Sequence, residues 1–173
     1  MPRRICGNCR KTIVIAQKDW NYQHSGLDFF CSKECLADKI KSCYKNEGII
    51  NPDWKYDDTC SVSDINCSAC MFYSSKLDKY FRSEFEGRVA EYLQSIAIDF
   101  LYEPYCFHIG KYTYTPDFYI PPPYDCFIEV KGDFAIRGKT KLTEFKNMYP
   151  DVNFIFIPWT MRGEFETSDP YVE

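Results

Sequence analysis

The chain has 173 residues and a mass of 20.4 kDa, with 45% hydrophobic and 18% aromatic residues. That is enough apolar material for a packed core and too much for a disordered chain. The net charge of −4 and the pI near 5.3 exclude a generically basic nucleic-acid binder. The absence of any run of about 18 apolar residues excludes a membrane-spanning helix.

Charge and cysteine are unevenly distributed. Residues 1–80 carry 12 Lys+Arg against 10 Asp+Glu, and residues 81–173 carry 9 against 15, so the halves stand at +2 and −6. Eight of the ten cysteines lie in the first 70 residues. The start, Met1-Pro2-Arg3-Arg4-Ile5-Cys6, has no apolar secretory region, and a reducing compartment disfavours five disulfides. Metal binding is the expected use of the thiols.

In chain order, the first group reads Cys6-x2-Cys9, then Cys31-x3-Cys35 at the start of a helical pattern through Leu36 and Ile40. A knuckle pair and a helix-borne pair can share one tetrahedral Zn²⁺, an arrangement similar to a treble-clef finger. Cys43, Cys60, Cys67 and Cys70 are candidates for a second zinc site. Only Cys67-x2-Cys70 has strong ligand spacing, and Cys43 is the weak member of the set, with packing beneath the helix as its alternative. One or two structural zinc ions are therefore expected, in a module over residues 1–79 that needs its metal to fold. Arg3, Arg4, Arg10, Lys33 and Lys41 cluster there and are candidate contacts to DNA phosphates, or simply a solvated face.

The pattern changes near residue 80. Ser83 and Glu86 form a capping-box pair ahead of Phe85, Val89, Leu93 and Ile96, which predicts a helix over 84–96. Strands are predicted over 98–102, 105–109, 112–120 and 126–130, with Pro121-Pro122-Pro123 as a turn. A helix over 139–148 and a buried strand over 152–157 follow, and the acidic tail after Trp159 is expected to be loosely held. Cys106 and Cys126 are expected in the core. The fold class is α/β (α+β), with mixed strand pairing in residues 80–173.

Glu129 and Lys131 share one face of their strand, while Ile128 and Val130 take the other. Hard cations such as Mg²⁺ or Mn²⁺ prefer oxygen ligands, which Asp117, Glu129 and the Val130 carbonyl can supply. Lys131 can orient a water or neutralise charge developing on phosphorus.

Pro116-Asp117, then Glu129-x-Lys131 some dozen residues later, resembles the motif of the PD-(D/E)XK nuclease superfamily. Phe81-Arg82-Ser83, Glu86, Tyr102-Glu103, Thr113-Tyr114-Thr115 and Gly132 accompany it in order. Residues 81–158 thereby resemble the junction-resolving endonuclease I family of the T-odd coliphages. The cysteine-rich half lies outside this resemblance. It implies a restriction-endonuclease-like core (αβββαβ) and Mg²⁺-dependent hydrolysis of DNA phosphodiesters. Glu86, Asp117 and Glu129 would be the metal carboxylates, with Lys131 the catalytic lysine. Arg137, Lys139 and Lys141 fall in a region that is also basic in the family. It further implies a phage or mobile-element source, action in the host cytoplasm, and a homodimer. The stretch between Glu103 and Thr113 is shorter here, which argues against strands exchanged between subunits. Branched junctions, a specific duplex site and generic DNA compete as substrates. The rival reading is a non-catalytic zinc adaptor that binds DNA or protein on a nuclease scaffold.

Overall fold

The structure is a computed structural model and describes residues 2–15, 28–43, 72–130 and 136–166. At the N-terminus, β1 (Arg3–Ile5) and β2 (Thr12–Val14) form an antiparallel ribbon around the Cys6–Cys9 knuckle. Arg10 takes a positive φ of 65° there, and the Cys6 N–H donates to the Lys11 carbonyl at 2.8 Å. Helix α1 (Lys33–Cys43) buries Leu36, Ile40 and Cys43.

A hairpin of β3 (Phe72–Ser74) and β4 (Lys79–Phe81) follows, which the sequence did not announce. It leads into α2 (Glu84–Ser95), within a residue of the expected bounds. Ser83 is the N-cap, accepting from the Glu86 N–H. Phe85, Val89 and Leu93 are buried along one face, each contributing about 1.5–3 kcal/mol by leaving water. Gly87 lets α2 approach the hairpin. A Cβ there would stand 2.2 Å from a ring carbon of Phe72.

Beyond α2 come β5 (Leu101–Tyr102), β6 (Phe107–Ile109), β7 (Tyr112–Tyr114), β8 (Phe118–Ile120) and β9 (Cys126–Val130). Helix α3 (Ile136–Met148) and β10 (Phe154–Ile157) complete the set. The strand predicted over 112–120 is two strands in two sheets. β7 pairs with β6, whereas β8 pairs with β5 and β9, and the chain bends at Thr115-Pro116-Asp117 between them. Proline disfavours a helical or regular partner at that position and ends the first strand. The four-stranded sheet has the order β10-β9-β8-β5, with the β9–β10 pair parallel and joined through α3.

The sheet is covered on both faces. Phe118, Ile120, Cys126, Ile128, Val130, Ile155 and Ile157 pack with α1 and α2 in one cluster. Phe127 and Phe156 pack with Phe107, Ile109 and Tyr114 of the β6–β7 hairpin and with Leu142 and Phe145 of α3. The boundary drawn at residue 79 is not a break in packing. Cys6, Phe30, Leu36 and Ile40 belong to the first cluster, and Ile15 and Phe29 to the second. Nor is the tail loose as far as Glu166. A 3-10 turn (Trp159–Met161) and α4 (Arg162–Phe165) bring Phe165 onto Phe85 and Tyr92, with ring centroids 5.9 and 5.5 Å away. Among the described residues, no helix is long and apolar enough to cross a membrane.

Candidate functional site

Among the described residues, the buried charged side chains are Glu86, Glu103, Asp117 and Glu129, at 9%, 2%, 8% and 1% exposure. All are acids. Carboxylates are rarely buried without a partner, because desolvation disfavours their charge. Their concentration in one sheet and its adjoining helix is the chemical signature of this chain.

The β8–β9 register explains how two of them meet. Phe118 stands opposite Ile128, so one step further Asp117 stands opposite Glu129. The bend before β8 turns the Asp117 carboxylate onto β9, where its Oδ2 accepts the Val130 N–H at 2.6 Å. Glu129 lies between Ile128 and Val130, which face the α2 side, and its Oε2 accepts the Tyr114 hydroxyl at 2.7 Å. The bend thus serves two ends, since it frees β7 to present Tyr114 while β8 presents Asp117.

Glu86 enters from α2. The Tyr102 hydroxyl donates to its Oε2, and the Ser83 hydroxyl to its Oε1 at 2.7 Å. The expected cap is therefore present, and it engages the carboxylate through the Ser83 hydroxyl. Burial, followed by the charge of Glu86, holds the Tyr102 phenol well above its ordinary pKa, so it remains a donor. Tyr102 also accepts the Arg82 N–H at 2.9 Å.

Glu103 carried no role in the sequence reading. It takes a positive φ of 48°, its N–H donates to the Asp117 carbonyl at 2.8 Å, and its Oε2 lies 3.0 Å from Arg82 Nη2. Glu86, Tyr102, Arg82, Glu103 and Asp117 therefore form one connected polar network. The sequence signal that would have found Glu103 is weak. It is an acid directly after a strand, in a segment that already carried the resemblance.

The acids are not gathered around a single point. Among the described residues, the one group of three or more metal-ligating side chains within 4.8 Å of one another is Cys6, Cys9, Cys31 and Cys35. Glu86, Asp117 and Glu129 instead accept from neutral donors, and Glu103 pairs with Arg82. Lys131 lies outside the described residues, as do Cys60, Cys67 and Cys70.

The cysteine quartet assembles as its spacing predicts. Sγ of Cys31 lies 3.5 Å from Sγ of Cys9 and of Cys35. A tetrahedral zinc–thiolate site places its sulfurs about 3.8 Å apart, so the quartet fits Zn²⁺. Burial pushes the Cys6 thiol up, but hydrogen bonds from the Asn8, Cys9 and Cys31 backbone outweigh it and bring it down to about 6. Burial and the neighbouring sulfurs raise Cys31 to about 12. Four sulfurs this close cannot all ionise unless a cation is shared among them.

Cys43 is placed elsewhere. It is buried at the end of α1, where its thiol donates to the Lys39 carbonyl at 3.5 Å and lies beside the Cys126 thiol at the start of β9. That position matches core packing beneath the helix. Cys106 and Cys126 are buried, as expected.

The basic candidates divide. Arg3, Arg10 and Lys41 are exposed. Arg4 lies over the Phe29 ring at 5.6 Å, Lys33 over Tyr92 at 5.5 Å, and Lys141 donates to the Thr113 carbonyl at 3.0 Å. Those three help hold elements together. Arg137 and Lys139 lie on α3, and their side chains are outside the described set.

Comparison with known proteins gives a family match and one curated relative. Endonuclease I of Escherichia phage T7 is 34% identical over 94 residues, which are 52% of this chain and 62% of that protein. The chain thus spans less than two thirds of this relative's length. No solved structure matches. The family described as phage endonuclease I matches residues 69–167, a span that contains all four buried acids. The chain belongs to the phage endonuclease I family.

Proposed function

We propose that the chain is a Mg²⁺-dependent DNA endonuclease whose zinc-bound N-terminal segment braces the catalytic unit and contributes to DNA contact. The observation that carries this reading is the set of buried acids, with Asp117 and Glu129 opposed across β8 and β9 in a chain of the endonuclease I family. We read α2, β5, β8, β9, α3 and β10 as the PD-(D/E)XK core.

The donor set suits a hard divalent ion, since it consists of carboxylate oxygens with the Val130 carbonyl between Glu129 and Lys131. Asp117, Glu129 and Glu86 would hold the ion. When bound, such an ion supplies an activated water and stabilises charge on the attacking and leaving oxygens. Tyr114 and Tyr102 orient Glu129 and Glu86 through their hydroxyls. Arg82 offsets the charge of Glu103 and so limits repulsion on Asp117. Lys131 would sit beside the scissile phosphate as a proton donor or acceptor for the water. The Cys6, Cys9, Cys31 and Cys35 quartet would hold one structural Zn²⁺, and such a chain would meet DNA in the cytoplasm of a phage host.

The substrate is tested by comparing cleavage of a four-way junction with that of a linear duplex of matched sequence. Faster junction cleavage is expected from the endonuclease I resemblance, and equal rates would assign the chain to generic or site-specific cutting. Calorimetric titration with Mn²⁺ gives a readout independent of cleavage. Asp117→Asn and Glu129→Gln should each weaken binding at least about tenfold. Unchanged binding in both would contradict the assignment.

A further inference from the structure

The β3–β4 hairpin presents two tyrosines to solvent. Tyr73 and Tyr80 are register partners, 46% and 58% exposed, with ring centroids 4.8 Å apart. Among the described residues they are the large exposed apolar side chains that touch each other as rings. Scattered exposed aromatics need no explanation, but a rigid adjacent pair does.

This pair is rigid. On the opposite side of the ribbon, Ser74 is buried and donates to Glu91 Oε1 at 2.6 Å, and Phe72 fills the space left by Gly87. Phe81 is fully buried against Tyr102 and Phe118, at 4.8 and 6.5 Å. The Tyr73 hydroxyl donates to Asp78, which fixes one ring. The hairpin is thus locked to α2, the helix of Glu86.

It also adjoins the buried acids. Lys79, next to Tyr80, places its Nζ 5.6 Å from the centre of the Tyr102 ring, and the Tyr102 hydroxyl holds Glu86. Lys76, Lys79 and Arg82 outnumber Asp78 along the hairpin and the residue that follows it.

The geometry points to Tyr73 and Tyr80 as a stacking platform for an unpaired nucleobase of branched or single-stranded DNA. This rests on the endonuclease reading and deepens it by naming the feature of DNA that the site selects. Base–aromatic stacking is open to any base with an exposed π-face. A fully paired duplex offers such a face only at its ends, whereas a branch or a single-stranded arm offers one internally. Lys76, in the turn of the hairpin, pairs with Glu91 at 3.7 Å yet stays 57% exposed, and it is the cation that can meet the phosphates accompanying such a base.

The test uses the full zinc-loaded chain, with Ca²⁺ in place of Mg²⁺ so that DNA is bound without being cut. Anisotropy measures affinity for a forked duplex with an unpaired arm and for a blunt duplex of the same length. The double variant Tyr73→Ala, Tyr80→Ala should lose about tenfold or more in affinity for the fork and less than about twofold for the blunt duplex. Tyr80→Trp should retain fork affinity. A 2-aminopurine in the unpaired arm should be quenched on binding the parent and not the double variant. Melting curves establish that each variant is folded. Equal losses on both DNAs, or no loss on either, would overturn the platform. A parent chain that binds neither DNA would instead overturn the endonuclease reading. Retained fork affinity with lost binding of a protein partner would reassign the tyrosines to protein contact.

Discussion

The Tyr114 hydroxyl donates to Glu129, a carboxylate with 1% exposure. Removing it leaves a buried acceptor short of a partner, at a cost of about 1–3 kcal/mol. Tyr114→Phe is therefore expected to lower the melting temperature modestly. It should also raise the Mg²⁺ concentration needed for half-maximal cleavage by about tenfold, since outer partners orient metal ligands. A Mg²⁺ titration of the cleavage rate checks this, and an unchanged midpoint would show that Tyr114 does not position Glu129. Cys43 gives a second prediction. Its thiol meets Cys126 in the core, so Cys43→Ala should leave zinc per chain unchanged and cost stability of about 1 kcal/mol. Elemental analysis with a melting curve separates these outcomes, and a lost zinc equivalent would return Cys43 to a ligand role. At this scale, Glu86, Asp117 and Glu129 could be picked out from residue type and spacing, and Glu103 could not. Nor could their holders. Tyr102 and Tyr114 look like any other strand aromatic until the fold brings them to a carboxylate.

Among the elements, α2 is the most informative. Its start, apolar face and cap followed from Ser83, Glu86 and the spacing of Phe85, Val89 and Leu93. Its tight seat on the β3–β4 hairpin depends on Gly87, which nothing in the local pattern singled out. Gly87→Ala places a methyl against the Phe72 ring and is expected to destabilise the chain by about 1–3 kcal/mol, measured by thermal or urea unfolding. An unchanged midpoint would mean that Phe72 yields without cost. The hairpin itself was hidden because its turn lacks an Asn-Gly or Asp-Gly pair and instead puts Asp78 at a φ of 51°. The run from Tyr112 to Ile120 reads as one strand because β-branched and aromatic residues continue through it. Pro116 was the clue to its division. The β6–β7 hairpin closes within the chain through Gly110 at a φ of 59°, so this short stretch pairs with itself.

For the whole molecule, the decisive fact is that the cysteine-rich segment and the sheet share their cores. Composition and charge separated the chain into halves, and the packing rejoined them. Tyr92 of α2 donates to the Lys33 carbonyl of α1 at 3.0 Å, and Phe29 meets Phe156 of β10 at 6.2 Å. Cys9→Ser, or removal of zinc by a chelator, should therefore lower the melting temperature of the entire chain in one cooperative transition. Near-ultraviolet circular dichroism during heating tests this, and an unchanged main transition would show that the halves are independent. Part of the acidity of the second half, which excluded a generically basic DNA binder, lies in four buried carboxylates, and three of these are the proposed metal ligands. The most direct measurement is nicking of supercoiled plasmid by the parent chain and by Asp117→Asn, with and without Mg²⁺. Nicking by the parent is expected only with Mg²⁺, with a loss of at least about a hundredfold in a variant that still folds and binds DNA. Equal nicking by both chains, or none by the zinc-loaded parent with either Mg²⁺ or Mn²⁺, would contradict that expectation.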